Sequence, residues 1–346
     1  MTLTDRLLSL TLTLDECRFE ALSTTVPSGW TRHSTIVKLH GAGVVGSGED
    51  VTYGAEEQLA LQTAGPPEVP TGRMSLGDFC AWASDRDLFT APPAQAAYRD
   101  YRLWAFQSAA LDLALRQAEQ SVATVVERTP RPLRFCASMG LGNPPSLARP
   151  HELRALHPAL EFKLDAEPEW DLAFVGELAA FGGIGVVDLK GAYEGTTVDT
   201  PPDAALATRI AEGLPDAYIE DPHRTPEVLA ALEPHRERIS WDAPIHSLAD
   251  VARMPLEPRV LNIKPSRLGS IERLFELYTH CEAEGITAYG GGQFELGVGR
   301  LQIQRLAALF HPDGPNDTAP AVYNAPAITP ALPPSPLQVK EAAPGL

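Results

Sequence analysis

The chain has 346 residues, of which 44% are hydrophobic and 21% are charged, an ordinary composition for a globular protein with a core of useful size. Its formal net charge of −17 argues against nucleic acid and anionic membrane surfaces as main partners, because both are themselves negative. The four cysteines are scattered without metal-binding spacing, so we interpret them as free thiols in a reducing compartment. No stretch reaches the roughly 18 apolar residues of a membrane span. Because the N-terminus also lacks the pattern of a secretory signal, we expect a cytoplasmic protein.

The first third of the chain has the pattern of an α+β domain. Residues 7–60 alternate with the period of antiparallel strands, and helical patterns follow near 55–64, 74–83 and 96–127. The segment TPRPLR indicates a boundary near residue 130. We therefore predict an α+β domain over 1–130 and an irregular Pro-rich tail at 325–346.

Five short apolar runs in the middle of the chain each carry one charged residue. Each run has four to six residues rich in Val, Ile, Leu, Phe or Tyr, which is typical of a buried parallel strand. A buried charge is costly unless it is paired or bound to a metal, so this series predicts a site rather than a core. The charged residues are Lys163, Asp188, Glu220, Asp242 and Lys264.

The spacing of these residues indicates how the strands are joined. Asp188 and Glu220 are 32 residues apart, and Glu220, Asp242 and Lys264 follow one another at intervals of 22, enough for one strand and one covering helix each. Helix start signals lie between them, such as Thr225-Pro226. We predict a (β/α) barrel over 131–324, in which the charged strand ends converge on one face.

These residue types suit one class of reaction. Three carboxylates are hard oxygen ligands that favour Mg²⁺, which would neutralise a substrate carboxylate and its developing enolate. Two lysines would flank the substrate as acid and base. We therefore expect chemistry that begins by removing a proton α to a carboxylate.

The ordered motifs resemble the enolase superfamily, and within it the muconate lactonizing enzyme subgroup that includes o-succinylbenzoate synthases and dipeptide epimerases. The motifs are Lys163, Asp188, Glu220 in IEDP, Asp242, Lys264 in IKPSRLGS and Glu295 in GGGQFELGVGR. The resemblance implies a modified TIM barrel of the (β/α)7β type with an N-terminal α+β capping domain over 1–130. It further implies that the tail 325–346 packs on that domain, although the last ten residues could equally be disordered. It also implies Mg²⁺ ligands Asp188, Glu220 and Asp242, acid/base lysines Lys163 and Lys264, and a possible homo-oligomer.

Two departures from the family pattern leave alternatives open. The family's second strand carries Lys-x-Lys with the second lysine catalytic, and either Lys163 or Asp165 occupies that position here. We take the register that makes Lys163 catalytic. The metal aspartate is commonly followed two residues on by Asn, but here by Lys190, which could bind a substrate anion, pair with an acid or compete with the metal.

Further candidates for substrate contact lie around the predicted barrel mouth. Ser138 ends the first barrel strand, and Gly291 lets the backbone approach a ligand closely. Glu295 is interpreted as a structural acid or lysine partner rather than a proton donor. In the resembled family, the loop that carries Trp30 and Arg32 reaches over the barrel mouth.

Several functions fit this sequence. The first is a lyase of the o-succinylbenzoate synthase type or an unassigned relative acting on a small-molecule carboxylate; cycloisomerase, racemase and epimerase are the alternatives. Epimerase is disfavoured, because Asp313 and Asp317 do not have the expected Asp-x-Asp spacing of the eighth strand. A non-catalytic metal- or anion-binding homologue and a Schiff-base aldolase using Lys264 are the other readings.

Overall fold

A computed structural model describes residues 1–25, 29–193, 200–339 and 344–346. Residues 26–28 of the predicted mouth loop and residues 340–343 of the tail therefore lie outside the described part. Within the described part, no helix is both long and apolar enough to cross a membrane.

The N-terminal region contains a three-stranded antiparallel sheet, a two-stranded ribbon and several helices. In the sheet β2 pairs with β3 and β3 with β4, while β1 pairs with β5. The elements are α1 Leu3–Leu8, β1 Thr11–Leu14, β2 Glu16–Thr25, β3 Thr31–Gly41, β4 Val44–Asp50, α2 Ala55–Ala64, β5 Gly72–Ser75, α3 Leu76–Ser84, α4 Ala97–Gln117 and α5 Val122–Val126.

Two glycines of β4 allow the long helix α4 to lie directly on the sheet. A Cβ at Gly46 would stand 2.3 Å from the carbonyl oxygen of Ala109, and one at Gly48 would stand 2.1 Å from that of Ala105. Only glycine avoids such contacts with helix backbone. The close approach buries the apolar face of α4, including Trp104.

The structure differs from the predicted secondary structure in two places, the strand pattern predicted from residue 7 and the helix predicted over 96–127. The apolar residues near position 7 belong to α1, because Thr2 and Asp5 form a reciprocal capping box at its start. The helix predicted over 96–127 is divided into α4 and α5, since Glu119 takes a left-handed conformation and Ser121 caps a new helix. Local capping outweighs the hydrophobic period at both places.

The rest of the chain forms a parallel barrel covered by helices. Its seven strands pair in sequence order from β6 to β12. The elements are β6 Cys136–Met139, α6 Ala148–Leu156, β7 Glu161–Asp165, α7 Leu172–Phe181, β8 Ile184–Asp188, α8 Ala204–Gly213, β9 Tyr218–Glu220, α9 Pro226–Leu232, β10 Ile239–Trp241, α10 Leu248–Val251, β11 Val260–Ile263, α11 Pro265–Leu268, α12 Ile271–Glu284, β12 Thr287–Gly290 and α13 Val298–Phe310, with 3₁₀ turns at Glu233–Arg238 and Ala321–Asn324.

A two-residue segment closes the barrel in the eighth position. Asn316 makes a parallel bridge to Phe135 before β6, and Asp317 makes one to Gly291 after β12. The predicted (β/α)7β barrel with an N-terminal capping domain is therefore confirmed. The chain then returns to the first region, where Leu346 donates its amide to the Asp112 carboxylate at 2.9 Å.

The strand register aligns three acidic residues in a row. Asp165 is paired with Asp188 across β7 and β8, and Asp188 with Glu220 across β8 and β9. All three end their strands, so their side chains meet at the C-terminal face of the barrel.

Candidate active site

Three carboxylates lie together at the C-terminal ends of β8 and β9. Asp188 ends β8, Glu220 ends β9 and Asp221 follows it. One oxygen of each lies within 4.8 Å of the others, and all three residues are buried. Because such crowding is costly without a cation, this cluster is the candidate metal centre.

Glu220 is held by side chains from three other strands. Lys163 Nζ contacts its Oε1, while Asn262 Nδ2 donates to Oε2 at 3.0 Å and the Tyr289 hydroxyl also donates to Oε2. Burial raises the pKa of Glu220 to about 6, with Lys163 opposing the shift and Asp188 adding to it. The carboxylate is therefore oriented from all sides but remains electrostatically crowded.

Asp242, the third ligand in the predicted set, faces two cations. Its Oδ2 lies 2.8 Å from Lys264 Nζ, and its Oδ1 lies 3.2 Å from Arg267 Nε. Burial alone would raise the pKa of Asp242, but Arg267 and Lys264 hold it well below its usual range. Its role as a metal ligand stays a prediction.

Asp221, which the sequence did not single out, completes the cluster. Its two carboxylate oxygens accept the backbone N–H groups of Asp242 at 2.8 Å and Ala243 at 2.9 Å. Burial, with Asp242 and Glu220 nearby, raises the pKa of Asp221 well above its usual range. Asp221 thus fixes the end of β10 and adds negative charge to the centre.

Lys163 and Asp165 occupy the same face of β7, with Lys163 deeper. Lys163 is 2% exposed, and its ammonium also lies 3.8 Å from Asp188 and 3.7 Å from Asp317. Burial alone would lower the pKa of Lys163, but the carboxylates of Glu220 and Asp188 raise it well above its usual range. Glu161, two residues earlier, instead pairs with Arg134. The choice between Lys163 and Asp165 as the catalytic position stays open.

Lys190 bridges two carboxylates just after β8. Its Nζ lies 2.7 Å from Asp188 Oδ2 and 2.8 Å from Asp165 Oδ1. Burial alone would lower the pKa of Lys190, but the carboxylates of Asp188 and Asp165 raise it. Of the readings left open by the sequence, the ion pair to Asp188 is therefore present in the structure.

A cavity of about 810 Å³ opens above these groups. Its lower part is charged, and its upper part includes several aromatic side chains from the N-terminal region. The lining residues are Trp30, Tyr53, Gln95, Tyr98, Tyr101, Ser138, Lys163, Asp165, Asp188, Lys190, Tyr193, Lys264, Arg267, Gly292, Gln293, Phe294, Arg300, Asp317, Ala319 and Asn324.

Two of the predicted contact residues, Ser138 and Trp30, line this cavity. Trp30 is 40% exposed and stacks on Tyr53 with ring centroids 6.2 Å apart. Gly291 lies behind the lining: a Cβ there would stand 2.5 Å from Lys264 Cε. Glycine at 291 therefore makes room for the lysine side chain.

The other two predicted contact residues, Arg32 and Glu295, are turned into the protein. The Arg32 guanidinium donates to the carbonyl oxygens of Val51, Thr52, Gln293 and Phe294 at 2.6, 2.7, 2.9 and 3.3 Å. Arg32 thus ties β3 to the loop after β12.

Glu295 is 3% exposed. Its Oε2 lies 3.1 Å from Arg300 NH2, and its Oε1 accepts the amide of Gln293. A cationic partner was expected for Glu295, and the structure supplies Arg300 rather than a lysine.

The sequence reading missed residues at both ends of the cavity. Asp317 faces Lys163 from the eighth strand position, and Tyr289 hydrogen bonds to Glu220. Strand alternation within the short run ITAYG could have placed Tyr289 in the interior. Tyr98 and Tyr101, which line the cavity, share one helix face at i and i+3. The sequence does not indicate that this face is directed toward the barrel.

The donor set fits a hard divalent cation. The clustered atoms are carboxylate oxygens, which Mg²⁺ prefers. Burial raises the pKa of Asp221, and repulsion from Asp242, Glu220 and Asp188 raises it further. A cation bound by Asp188 and Glu220 would relieve that repulsion.

The chain matches two family descriptions that together cover most of its length. Residues 129–325 match the C-terminal domain of the family described as domain of unknown function DUF8230, and residues 5–125 match its N-terminal domain.

Curated relatives similar to this chain carry the names of two enzymes. An N-succinylamino acid racemase from Amycolatopsis is 29% identical over 253 residues, 68% of this chain and 66% of the relative. An o-succinylbenzoate synthase from Enterococcus faecalis is 28% identical over 209 residues, 58% of this chain and 55% of the relative. The chain thus spans less than two thirds of the length of these relatives.

Solved structures share the fold at low sequence identity. An enolase superfamily member from Listeria innocua has a TM-score of 0.68 at 18% identity and covers 90% of this chain and 86% of its own. A dipeptide epimerase from Methylococcus capsulatus, complexed with a Mg ion, has a TM-score of 0.65 at 18% identity and covers 87% of this chain and 88% of its own. The chain therefore belongs to the DUF8230 family. It shares the fold of enolase superfamily structures, and its curated relatives agree with the predicted resemblance to the muconate lactonizing enzyme and o-succinylbenzoate synthase-like subgroup.

Proposed function

We propose that this protein is a Mg²⁺-dependent enzyme that removes the proton α to a carboxylate of a small-molecule substrate. The observation that supports this most is the placement of two buried lysines around one acidic cluster. Lys163 lies on β7 and Lys264 directly follows β11, four strands further round a barrel of eight positions. The two ammonium groups therefore approach the cavity from opposite sides.

The electrostatics of the two lysines explain why a cation is needed. Burial alone would lower the pKa of both lysines. Glu220 instead raises the pKa of Lys163, and Asp242 raises that of Lys264. A bound divalent cation would neutralise the substrate carboxylate and the negative charge that develops when the α-proton leaves. The same positive charge would favour the neutral, basic form of a neighbouring lysine. One lysine then accepts the proton, and the other can donate one from the opposite face.

A lyase of the o-succinylbenzoate synthase type or an unassigned relative is the proposed outcome. The similarity to an o-succinylbenzoate synthase supports it. The expected substrate is a carboxylate that carries a leaving group on the carbon next to the one that loses its proton. Racemisation is the second candidate, because the relative with 253 aligned residues is a racemase and a base on each face suits proton transfer.

The test is proton NMR in D₂O with Mg²⁺ and a panel of carboxylates: succinylbenzoate precursors, N-acylamino acids, dipeptides and sugar acids. We expect α-proton exchange that requires Mg²⁺ and that, for the enantiomer whose α-proton faces Lys264, is lost in Lys264→Ala. Lys38→Ala is the matched control, because Lys38 pairs with Glu20 at the protein surface and its loss should leave exchange unchanged. Conversion without racemisation would assign a lyase, and exchange with racemisation an isomerase.

The absence of exchange over the whole panel, combined with no Mg²⁺-dependent rise in melting temperature, would favour the non-catalytic reading. A ligand that binds only the native state raises the melting temperature, so this second measurement separates an inactive protein from a wrong substrate. Borohydride trapping of a carbonyl compound on Lys264 would instead support the aldolase reading.

A further inference from the structure

We propose that Lys190 determines substrate specificity: with a divalent cation on Asp188, its ammonium is retained by Asp165 and binds a second carboxylate of the substrate. This inference rests on the proposed function, because it assumes that a cation and a first substrate carboxylate meet at the acidic cluster. The pair of residues that selects the substrate would be Lys190 and Asp165.

The two partners of Lys190 differ in kind. Asp188, 2.7 Å from Nζ, belongs to the buried acidic cluster, and its side chain is 1% exposed. Asp165, 2.8 Å from Nζ, lies outside that cluster, and its side chain is 35% exposed. Lys190 therefore connects the candidate metal centre with the open part of the cavity.

A cation on Asp188 would compete with Lys190 for the same carboxylate oxygen. Two positive charges at one oxygen repel each other, so the ammonium is displaced from Asp188. Asp165 keeps it from leaving the site. The backbone stays in place, because the amide of Lys190 donates to Asp188 Oδ1 at 2.9 Å; only the side chain needs to turn.

The other buried lysine on this side is less able to contact a substrate anion. Lys163 is enclosed by Glu220, Asp188 and Asp317, and its side chain is 3% exposed. The side chain of Lys190 is 18% exposed and lines the cavity. An anionic group that enters above the cluster therefore reaches Lys190 first.

The cavity also has room and surface for the body of such a substrate. Its volume of about 810 Å³ exceeds that of a single small acid. Tyr53, Tyr98 and Phe294 line its upper part and offer apolar surface between charged ends. A molecule with one carboxylate at the metal centre and a second at Lys190 fits this arrangement.

Isothermal titration calorimetry of the Mg²⁺-loaded protein with 2-succinylbenzoate and 2-butyrylbenzoate tests the inference. The two probes differ in that a terminal carboxylate is replaced by a methyl group. We expect Lys190→Met to weaken binding of the diacid roughly 10- to 100-fold, the value of a charge-assisted hydrogen bond, and to leave the monoacid within about twofold. Lys190→Arg should recover part of the loss, and the surface variant Lys38→Met should behave as wild type.

The same samples give a readout that needs no substrate. Since Lys190 competes for Asp188, Lys190→Met should bind Mg²⁺ more tightly than wild type.

Three outcomes would overturn the inference: equal diacid affinity in wild type and Lys190→Met, equal losses of affinity for both probes, or no diacid binding by wild type. Lys190-dependent diacid binding without α-proton exchange would remove the proposed reaction and leave this inference intact. Exchange that persists in Lys190→Met together with unchanged diacid affinity would support the proposed reaction and remove this inference.

Discussion

Glu220 accepts contacts from side chains on three other strands, Lys163 on β7, Asn262 on β11 and Tyr289 on β12. The Tyr289 hydroxyl is also 2.8 Å from the hydroxyl of Ser240 on β10. One carboxylate therefore joins strands across the barrel interior. Groups that orient a metal ligand in this way affect the metal affinity as well as the packing.

We predict that Tyr289→Phe weakens Mg²⁺ binding about 10- to 100-fold, because it removes a hydrogen bond that orients the Glu220 carboxylate. Calorimetric titration of Mg²⁺ measures the change. Tyr218→Phe is the matched control: Tyr218 stacks on Tyr289 with centroids 5.6 Å apart, and its ring is kept in the variant. Unchanged Mg²⁺ affinity in Tyr289→Phe would show that the hydrogen bond is not part of the metal centre.

The sequence predicts the charged residues of the cavity better than the polar residues around them. A charge inside an apolar strand is conspicuous, so Asp188, Glu220 and Lys264 could be recognised at once. Asn262 and Tyr289 are ordinary residues in such strands, and their inward direction matters only once Glu220 is known to lie opposite. Asp221 was overlooked because its place depends on a left-handed backbone turn.

Two side chains of the N-terminal sheet hold the loop that follows β12. Arg32 on β3 donates to the carbonyl groups of Gln293 and Phe294. Glu49 on β4 accepts the amides of Leu296, Gly297 and Gly299 at 2.6, 3.0 and 2.9 Å. Because these amides lie at the start of α13, the carboxylate also meets the positive end of that helix. The cavity wall is thus built jointly by both parts of the chain.

We expect Arg32→Met to destabilise the protein by about 2 to 4 kcal/mol, since it leaves buried carbonyl groups without donors. Amide hydrogen exchange of residues 292–297 should accelerate with it. Thermal unfolding and exchange mass spectrometry measure the two effects. The exposed Arg18 supplies the control, because Arg18→Met should change stability by less than about 0.5 kcal/mol. Normal stability in Arg32→Met, with weakened substrate binding, would instead favour the original prediction of a substrate contact.

The order of barrel strands could be predicted because each strand is followed by a helix at a regular interval. The helix start at Thr225 lies where the sequence placed it, and Asp203 and Ser270 likewise cap helices between strands. The eighth strand could not be recognised, since only Asn316 and Asp317 form bridges there. Its identity depends on tertiary contacts rather than on a hydrophobic run, and for this reason Asp317 was not foreseen as a cavity residue.

The closure of the whole barrel depends on a buried histidine near that eighth position. His311 Nδ1 donates to Asn316 Oδ1 at 2.7 Å, and the same oxygen accepts the amide of Gly290 at 2.6 Å. The Asn316 amide group donates to the carbonyl oxygens of Arg134 and Gly314, both at 2.9 Å. The network therefore connects the two edges of the parallel sheet.

Acid should weaken this closure. Burial lowers the pKa of His311 from 6.5 to about 4, so the folded protein binds this proton less readily than the unfolded chain. The contribution of His311 to the free energy of unfolding is fully present above about pH 6.5. It is lost as the pH falls through 4, and the total loss is about 3 kcal/mol. Chemical unfolding of wild type and His311→Gln between pH 7 and 4 measures it. The difference between them should shrink as the pH falls, whereas a constant difference would contradict the shift.

Enantiomer-resolved α-proton exchange tests whether Lys163 and Lys264 act on opposite faces of one bound carboxylate. The measurement uses both enantiomers of whichever carboxylate responds in D₂O with Mg²⁺, on wild type, Lys163→Ala and Lys264→Ala. Each lysine should serve one face, so each variant should lose exchange of one enantiomer and keep at least part of the other. Exchange of both enantiomers in both variants would show that neither lysine is the base for one face of the substrate.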